Sequence, residues 1–280
     1  MATLTGTSGA DYLVGDESGD TIDGLGGNDY LAGREGVDLL TGGSGDDTLW
    51  AGAGDDGGKG TSFGAFGGSG DDLIGGGAGD DYLFGDEGND TIWGGLDDDS
   101  IQGGEGDDII GGGAGTDTLA GQEGSDTIYS GTGSDSVLGG DDNDLVFGGT
   151  GNDTMYGNEG DDVIYGGDGG DYLYGDEGDD ELWAGSGQDS LTGGTGADTF
   201  AFTAATVTID ADTANNDVVN DFTLGDDDIL DLSDFGLSGE YADLVANGTF
   251  TATGIDFDLD GFDDITLNGA NALDADHVIL

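Results

Sequence analysis

Apolar residues return at every ninth position through most of this 280-residue chain. From Gly67 to Ala201 fifteen consecutive nine-residue units keep one position apolar: Ile74, Leu83, Ile92, Ile101, Ile110, Leu119, Ile128, Val137, Val146, Met155, Ile164, Leu173, Leu182, Leu191 and Phe200. Gly76-Gly77-Ala78-Gly79-Asp80-Asp81-Tyr82-Leu83-Phe84 is a clean unit, close to G-G-x-G-x-D-x-U-x with U apolar. The Gly- and Asp-rich part predicts a turn, and the last three residues predict a short strand whose middle side chain points inward. One such strand cannot enclose a core, so two units should make one coil, with strands on opposite walls and aspartates eighteen residues apart stacked. The bulky Phe200 reads as an end plug. The expected fold is all-β: a parallel β-roll, a right-handed solenoid with two strands per coil, followed by a C-terminal β-rich cap.

The same register starts at Gly6 and holds through Lys59, so residues 1–59 form a first β-roll run and 67–201 the main one. The sixth unit carries Gly58 where the earlier ones carry Leu13, Ile22, Leu31, Leu40 and Leu49, and the next in-phase aspartate after Asp56 is Asp72, two residues short of two full units. Residues 60–66 are therefore expected to form a shortened or looped-out turn that kinks or breaks the stack, with Phe63 and Phe66 plugging the seam. Past Ala201 glycine thins and longer alternating runs such as Ile229-Leu230-Asp231-Leu232 appear, so 202–280 reads as a cap that stops end-to-end stacking. The N-terminal end looks thinly capped. The third position is acidic in alternate units, at Glu87, Glu105, Glu123, Asp141, Glu159 and Glu177, which predicts two chemically different turn ridges.

Composition changes what such a fold needs. With 65 Gly, no Pro, no Cys and a formal net charge of −61, the chain would ordinarily be disordered, because apolar burial cannot offset chain entropy. Two inward side chains per coil fall well short of the cost of ordering it, and aspartates stacked about 4.8 Å apart repel. Strict phase despite this argues for a fold conditional on bound cations. The lack of Cys excludes disulfides and thiolate metal sites. Arg34 and Lys59 are the only basic residues, so nucleic acid and anionic lipid are excluded as partners. No apolar run suits membrane insertion, and Met1-Ala2-Thr3-Leu4-Thr5 lacks the basic and apolar parts of a Sec-type leader. His277, the single histidine, has no second component for a zinc or nucleophilic centre, and no H-E-x-x-H or G-x-S-x-G occurs. The chain is expected not to be an enzyme.

The repeats resemble those of the RTX family secreted by Gram-negative bacteria, over nearly the whole chain. That resemblance implies calcium, several ions of it, held in the Gly-rich turns by backbone carbonyls and sixth-position aspartates. The implied ligands are Asp11, Asp20, Asp29, Asp38, Asp47, Asp72, Asp81, Asp90, Asp99, Asp108, Asp117, Asp126, Asp135, Asp144, Asp153, Asp162, Asp171, Asp180, Asp189 and Asp198. The stretches Ala197-Asp198-Thr199-Phe200-Ala201-Phe202, Asp217-Val218-Val219-Asn220-Asp221-Phe222 and Asp228-Ile229-Leu230-Asp231-Leu232-Ser233 look like the region closing the serralysin-type C-terminal domain. The ending Asp276-His277-Val278-Ile279-Leu280 is similar to uncleaved type I secretion signals. The resemblance thus implies export through type I secretion machinery as an unfolded chain, and folding outside the cell where calcium is abundant. Separately, Asp256-Phe257-Asp258-Leu259-Asp260-Gly261 opens like an EF-hand loop, yet position twelve is Leu267 instead of Glu. Asp256, Asp258 and Asp260 remain candidate ligands outside an EF-hand.

Unlike RTX toxins, lipases and proteases, this sequence shows no enzymatic or pore-forming domain before the repeats. The expected function is that of a secreted, calcium-binding structural protein that self-assembles end to end, as a homo-oligomer or filament of a surface layer or matrix. Phe147, Tyr165 and Trp183, eighteen apart, predict an aromatic ladder on one wall. Such a ladder stiffens the sheet or, alternatively, stacks on a polysaccharide. Ice binding is a third alternative, but Thr150 and Asn152 occur together in one unit only.

Overall fold

The computed structural model describes residues 2–57, 64–202, 216–222, 228–231, 248–250, 254–257, 264–268 and 278–279. The chain divides into two compact units, Met1–Asp141 and Asp142–Leu280. Both are all-β, with two parallel sheets wound as a solenoid.

In Met1–Asp141 one sheet stacks Thr3–Thr5, Thr21–Asp23, Leu39–Ser44, Gly64–Ser69, Tyr82–Glu87, Ser100–Glu105, Thr118–Glu123 and Ser136–Asp141 in that order. The other stacks Tyr12–Val14, Tyr30–Glu35, Thr48–Ala53, Leu73–Ala78, Thr91–Leu96, Ile109–Ala114 and Thr127–Thr132. Residues eighteen apart face one another, as Ile92 faces Ile74 and Ile110. The acidic positions Glu87, Glu105, Glu123 and Asp141 all fall on the first sheet, so the two ridges differ as the alternation predicts.

Most strands run six residues, not three, because pairing continues into the glycine-rich turn; Leu96 still faces Ala114. Two side-chain positions per strand therefore point inward. In Thr91–Leu96 these are Ile92 and Gly94. A β-carbon on Gly94 would collide with Asp99 Oδ2 and stand 2.6 Å from the Gly112 carbonyl oxygen. The next residue, Gly95, has φ of +125°, the left-handed region where a side chain is strained, and it bends the strand into the turn. The apolar U residues from Ile22 to Leu191 are buried within their units, whereas Leu4 and Leu13 in the first coil are half-buried.

The expected break at 60–66 is an insertion. Leu40 faces Ala65 and Leu49 faces Ile74, a spacing of twenty-five, and Ala65 then faces Leu83 at eighteen again. Ala65 fills the sixth inward position and is fully buried; Gly58 lies outside the described residues. Phe66 points outward and stacks on Phe84 with ring centroids 4.8 Å apart, so it plugs no seam. Lengthening a turn costs little, whereas slipping a strand by one residue would turn its inward side chain to solvent. Phe63 lies outside the described residues.

In Asp142–Leu280 one sheet runs Thr154–Glu159, Tyr172–Glu177, Ser190–Thr195, Asn216–Val219, Asp264–Asn268, Gly254–Phe257 and Gly248–Phe250, and the other Leu145–Thr150, Val163–Asp168, Glu181–Ser186, Thr199–Ala201, Ile229–Asp231 and Val278–Ile279. Phe200 does not end the stack: Phe200 faces Leu230, and Leu230 faces Val278. Among the described residues the parallel order gives way past Asp264–Asn268, which pairs antiparallel with Gly254–Phe257, as that strand does with Gly248–Phe250. The aromatic ladder is present, with centroids 5.0 Å apart for Phe147 and Tyr165 and 5.7 Å for Tyr165 and Trp183. His277 lies outside the described residues.

Candidate metal centre

Each nonad ends its turn with an aspartate that folds back under the sheet, and these aspartates form ladders. The Asp72 N–H donates to Asp90 Oδ1 at 2.7 Å, Asp90 to Asp108 at 2.7 Å, and Asp108 to Asp126 at 2.7 Å. On the opposite turn Asp81 donates to Asp99 at 2.9 Å and Asp99 to Asp117 at 2.8 Å. The C-terminal unit repeats this from Asp144 to Asp162 and Asp180, and from Asp153 to Asp171 and Asp189. The expected ligands from Asp20 through Asp198 are all buried, while Asp11 is half-buried.

One carboxylate oxygen is thus satisfied. The other, Oδ2, is buried without a hydrogen-bond partner in Asp29, Asp38, Asp47, Asp56, Asp72, Asp81, Asp90, Asp99, Asp108, Asp117, Asp162, Asp171 and Asp180. A buried carboxylate charge is costly unless paired. Its strain shows in the proton equilibria: burial, opposed by the backbone N–H and reinforced by neighbouring aspartates, pushes Asp81 up to about 8, Asp72, Asp99, Asp108 and Asp180 to about 7, and Asp90 to about 6.

Glycine makes room beside most of these oxygens. A β-carbon on Gly76 would collide with Asp81 Oδ2 and lie 2.7 Å from the Gly94 carbonyl oxygen, so a carboxylate and a carbonyl line the space that glycine leaves. Hard oxygen donors with excess negative charge fit a divalent cation such as calcium. Among the described residues no three His, Cys, Asp or Glu side chains gather around one point, so an ion here must take backbone carbonyls alongside carboxylates.

The first coil differs. Asp11 Oδ2 accepts from the Thr7 N–H at 2.6 Å and the Thr7 hydroxyl at 2.8 Å, and Asp20 Oδ2 accepts from the Asp16 N–H at 2.8 Å. Asp20 Oδ1 accepts from the Ala2 N–H. These backbone donors hold Asp20 below the usual carboxylate range. Both residues belong to the predicted set, but protein donors occupy the oxygens left open deeper in the stack.

Three ladder members escaped the sequence reading. Asp56 sits in the unit that Gly58 seemed to damage, yet it accepts from the Asp38 N–H at 2.7 Å and donates to Asp81 at 2.9 Å across the insertion. Asp217 and Asp228 extend the two ladders, accepting from the Asp189 N–H at 2.9 Å and the Asp198 N–H at 3.2 Å. Asp217-Val218-Val219 and Asp228-Ile229-Leu230 keep the Asp-x-apolar triad of the nonad without its glycines, and that triad was the available signal. Asp258 and Asp260 lie outside the described residues, and Asp256 falls on the strand Gly254–Phe257.

The family model for the RTX calcium-binding nonapeptide repeat (4 copies) matches residues 5–40, 32–57, 66–101, 84–119, 111–146, 120–155, 138–173, 147–182 and 165–200, well over half of the chain. Comparison with curated proteins yields no significant match. Among solved structures the chain is similar to the AlgE6R3 subunit of a mannuronan C5-epimerase from Azotobacter vinelandii, at 30% identity over 50% of this chain and 80% of that one, with a TM-score of 0.33. The AlgE6R2 subunit matches at 28% identity over 51% and 91%, with a TM-score of 0.33. A hyperactive, Ca2+-dependent, β-helical antifreeze protein from an Antarctic bacterium matches at 19% identity over 95% and 96%, with a TM-score of 0.39.

Proposed function

The chain belongs to the RTX calcium-binding nonapeptide-repeat family, and from that premise we propose that it is a secreted structural protein whose β-roll folds when calcium fills its aspartate ladders. The buried, unpartnered Oδ2 column carries this reading. The ligands are the predicted aspartates from Asp29 onward together with Asp56, supplemented by backbone carbonyls of the turns. Calcium supplies two positive charges and accepts six to eight oxygens. Binding and folding are then one event, because the site exists only when the coils stack. The repeats are structural and non-catalytic.

Export follows the same logic. A chain that stays unfolded where calcium is scarce can be threaded through type I secretion machinery, and Val278–Ile279, within the signal-like ending, takes its place beside Ile229–Asp231 once the roll forms. No helix among the described residues is long and apolar enough to cross a membrane. Outside, rolls joined through the edge strands of their sheets, such as Thr3–Thr5 and Tyr12–Val14, would build a filament, surface layer or matrix.

Far-ultraviolet circular dichroism with size-exclusion chromatography tests the reading. In EDTA at neutral pH the expected state is expanded and lacks β-structure; calcium should bring a cooperative gain of β-signal and compaction. A protein equally ordered in EDTA at neutral pH would sink the proposal. Light scattering at rising protein concentration then reads assembly, and a strict monomer in calcium would remove that part alone.

A further inference from the structure

Charge is spread over nearly all of this acidic chain, and one face of it has none. The strands Thr48–Ala53, Leu73–Ala78, Thr91–Leu96, Ile109–Ala114 and Thr127–Thr132 are adjacent in one sheet of Met1–Asp141, and their thirty residues include no acid and no base. The opposite sheet carries Glu87, Glu105, Glu123 and Asp141 at its strand ends.

The outer column of this uncharged face alternates aromatic and glycine. Trp50 faces Gly75, Gly75 faces Trp93, Trp93 faces Gly111, and Gly111 faces Tyr129. The indoles lie down over the glycines: a β-carbon on Gly75 would run into the Trp50 ring, and one on Gly111 into the Trp93 ring. Each indole therefore has one face on backbone and the other outward, with Trp50 41%, Trp93 45% and Tyr129 42% exposed. Packing against glycine accounts for the inner faces alone. Leu96 and Ile109 add exposed apolar surface to the same patch.

Aromatic rings two coils apart repeat at about 9.5 Å, twice the spacing of neighbouring strands. That is close to the disaccharide repeat of an extended β-1,4-linked glycan, in which every second ring presents the same apolar face. A second copy of this chain, or a polyanion, would meet the acidic turns bordering the patch and be repelled; an uncharged polymer would not. Beyond the aromatic rings, the patch's outward hydrogen-bonding side chains are the hydroxyls of Thr48, Thr91, Thr127 and Thr132, which suits glucose rings better than acetamido-bearing ones. We infer that this face is a binding platform for an uncharged β-1,4-linked glucan, with Trp50, Trp93 and Tyr129 stacking on alternate rings. The equivalent column of the C-terminal unit is less suited, since Glu181 bonds the Trp183 indole N–H at 2.7 Å and Asp168 lies on a neighbouring strand.

The test uses the full chain in calcium. Retention on microcrystalline cellulose and quenching of tryptophan fluorescence by cellohexaose are compared for the native chain, Trp50→Ala/Trp93→Ala, Leu96→Asp and the control Tyr172→Ala, each checked for native circular dichroism. The double variant is expected to lose at least about tenfold in retention and Leu96→Asp severalfold, with Tyr172→Ala unchanged. Because Leu96→Asp leaves both indoles in place, it keeps the question open should the double variant fail to fold. No retention by the native chain, retention indifferent to both face variants, or stronger retention on chitin or a polyuronate would overturn the assignment. Calcium-dependent folding is read separately by circular dichroism, so either idea can fail alone.

Discussion

The inner and outer sides of the same strands are held to different standards. Inside, the pairing of an apolar residue with an aspartate two positions before it persists in both units, across the insertion where spacing jumps to twenty-five, and beyond the last nonad where it stretches to twenty-eight and thirty. Outside, the two sheets of Met1–Asp141 diverge: one carries the acidic column Glu87, Glu105 and Glu123, the other alternates Trp50 and Trp93 with glycine. The inward apolar and aspartate positions keep their chemistry because each meets its copy one coil away. The exterior touches solvent, so it can differ from sheet to sheet and acquire surfaces of its own.

The largest effect should come from the ladder cations. In EDTA the folded aspartates hold their protons up to a pH between about 6, at Asp90, and about 8, at Asp81. In the unfolded chain they release them near the ordinary carboxylate value of 3.8. The folded form therefore binds more protons, so this contribution to stability is full in acid and is lost as pH rises through that window. Calcium-free protein should gain β-structure near pH 5 and lose it by about pH 8, and calcium should restore it at about pH 8. A circular dichroism titration with and without EDTA reads both arms; β-structure that survives in EDTA at the alkaline end would erase the distinction between ladder and surface.

Next is the apolar interior. Leu119→Ala leaves a cavity between Ile101 and Val137 and should cost about 2–5 kcal/mol in denaturant melts run in saturating calcium. Asp108→Asn should have a smaller effect, on the order of 1–3 kcal/mol, and one that changes sign. The amide still accepts from the Asp90 N–H, but it removes one carboxylate from the cation-binding column and one buried charge from the calcium-free roll. The calcium midpoint for folding should rise, while acid-folded protein in EDTA becomes less sensitive to rising pH. A parallel loss in both conditions would mean that Asp108 serves only as a hydrogen-bond acceptor.

The smallest change is expected outside. Tyr156→Ala removes a ring stacked on Tyr174 at 4.6 Å and should cost about 0.5–1.5 kcal/mol beyond lost area. A penalty as large as that of Leu119→Ala would show that the outer wall is as constrained as the core.

Much of this organisation was legible in the chain. A nine-residue period with one apolar position defines strands, coil size and the facing of residues eighteen apart, because a side chain must meet its own copy in the next coil. The same period placed the aspartates from Asp20 to Asp198 in the buried ladders and the acids from Glu87 to Asp141 on one sheet. It misled where the count broke. Gly58 holds the ninth-position phase, but Ala65 fills the core, because a turn absorbs extra residues more readily than a strand gives up its register. Asp217 and Asp228 were hidden for the related reason that their coils replace the glycine turns with longer connections.

By itself, then, the sequence determined that this chain is an all-β repeat solenoid with one aspartate in phase in nearly every unit, since periodicity and charge are properties of composition and order. The tertiary structure alone decided which carboxylate oxygen of these aspartates is satisfied by the next coil and which is not, and that Trp50 and Trp93 lie over the glycines of adjacent coils to form an uncharged face. Those outcomes depend on contacts between residues eighteen or twenty-five positions apart, whose distances and orientations exist only once the coils are stacked.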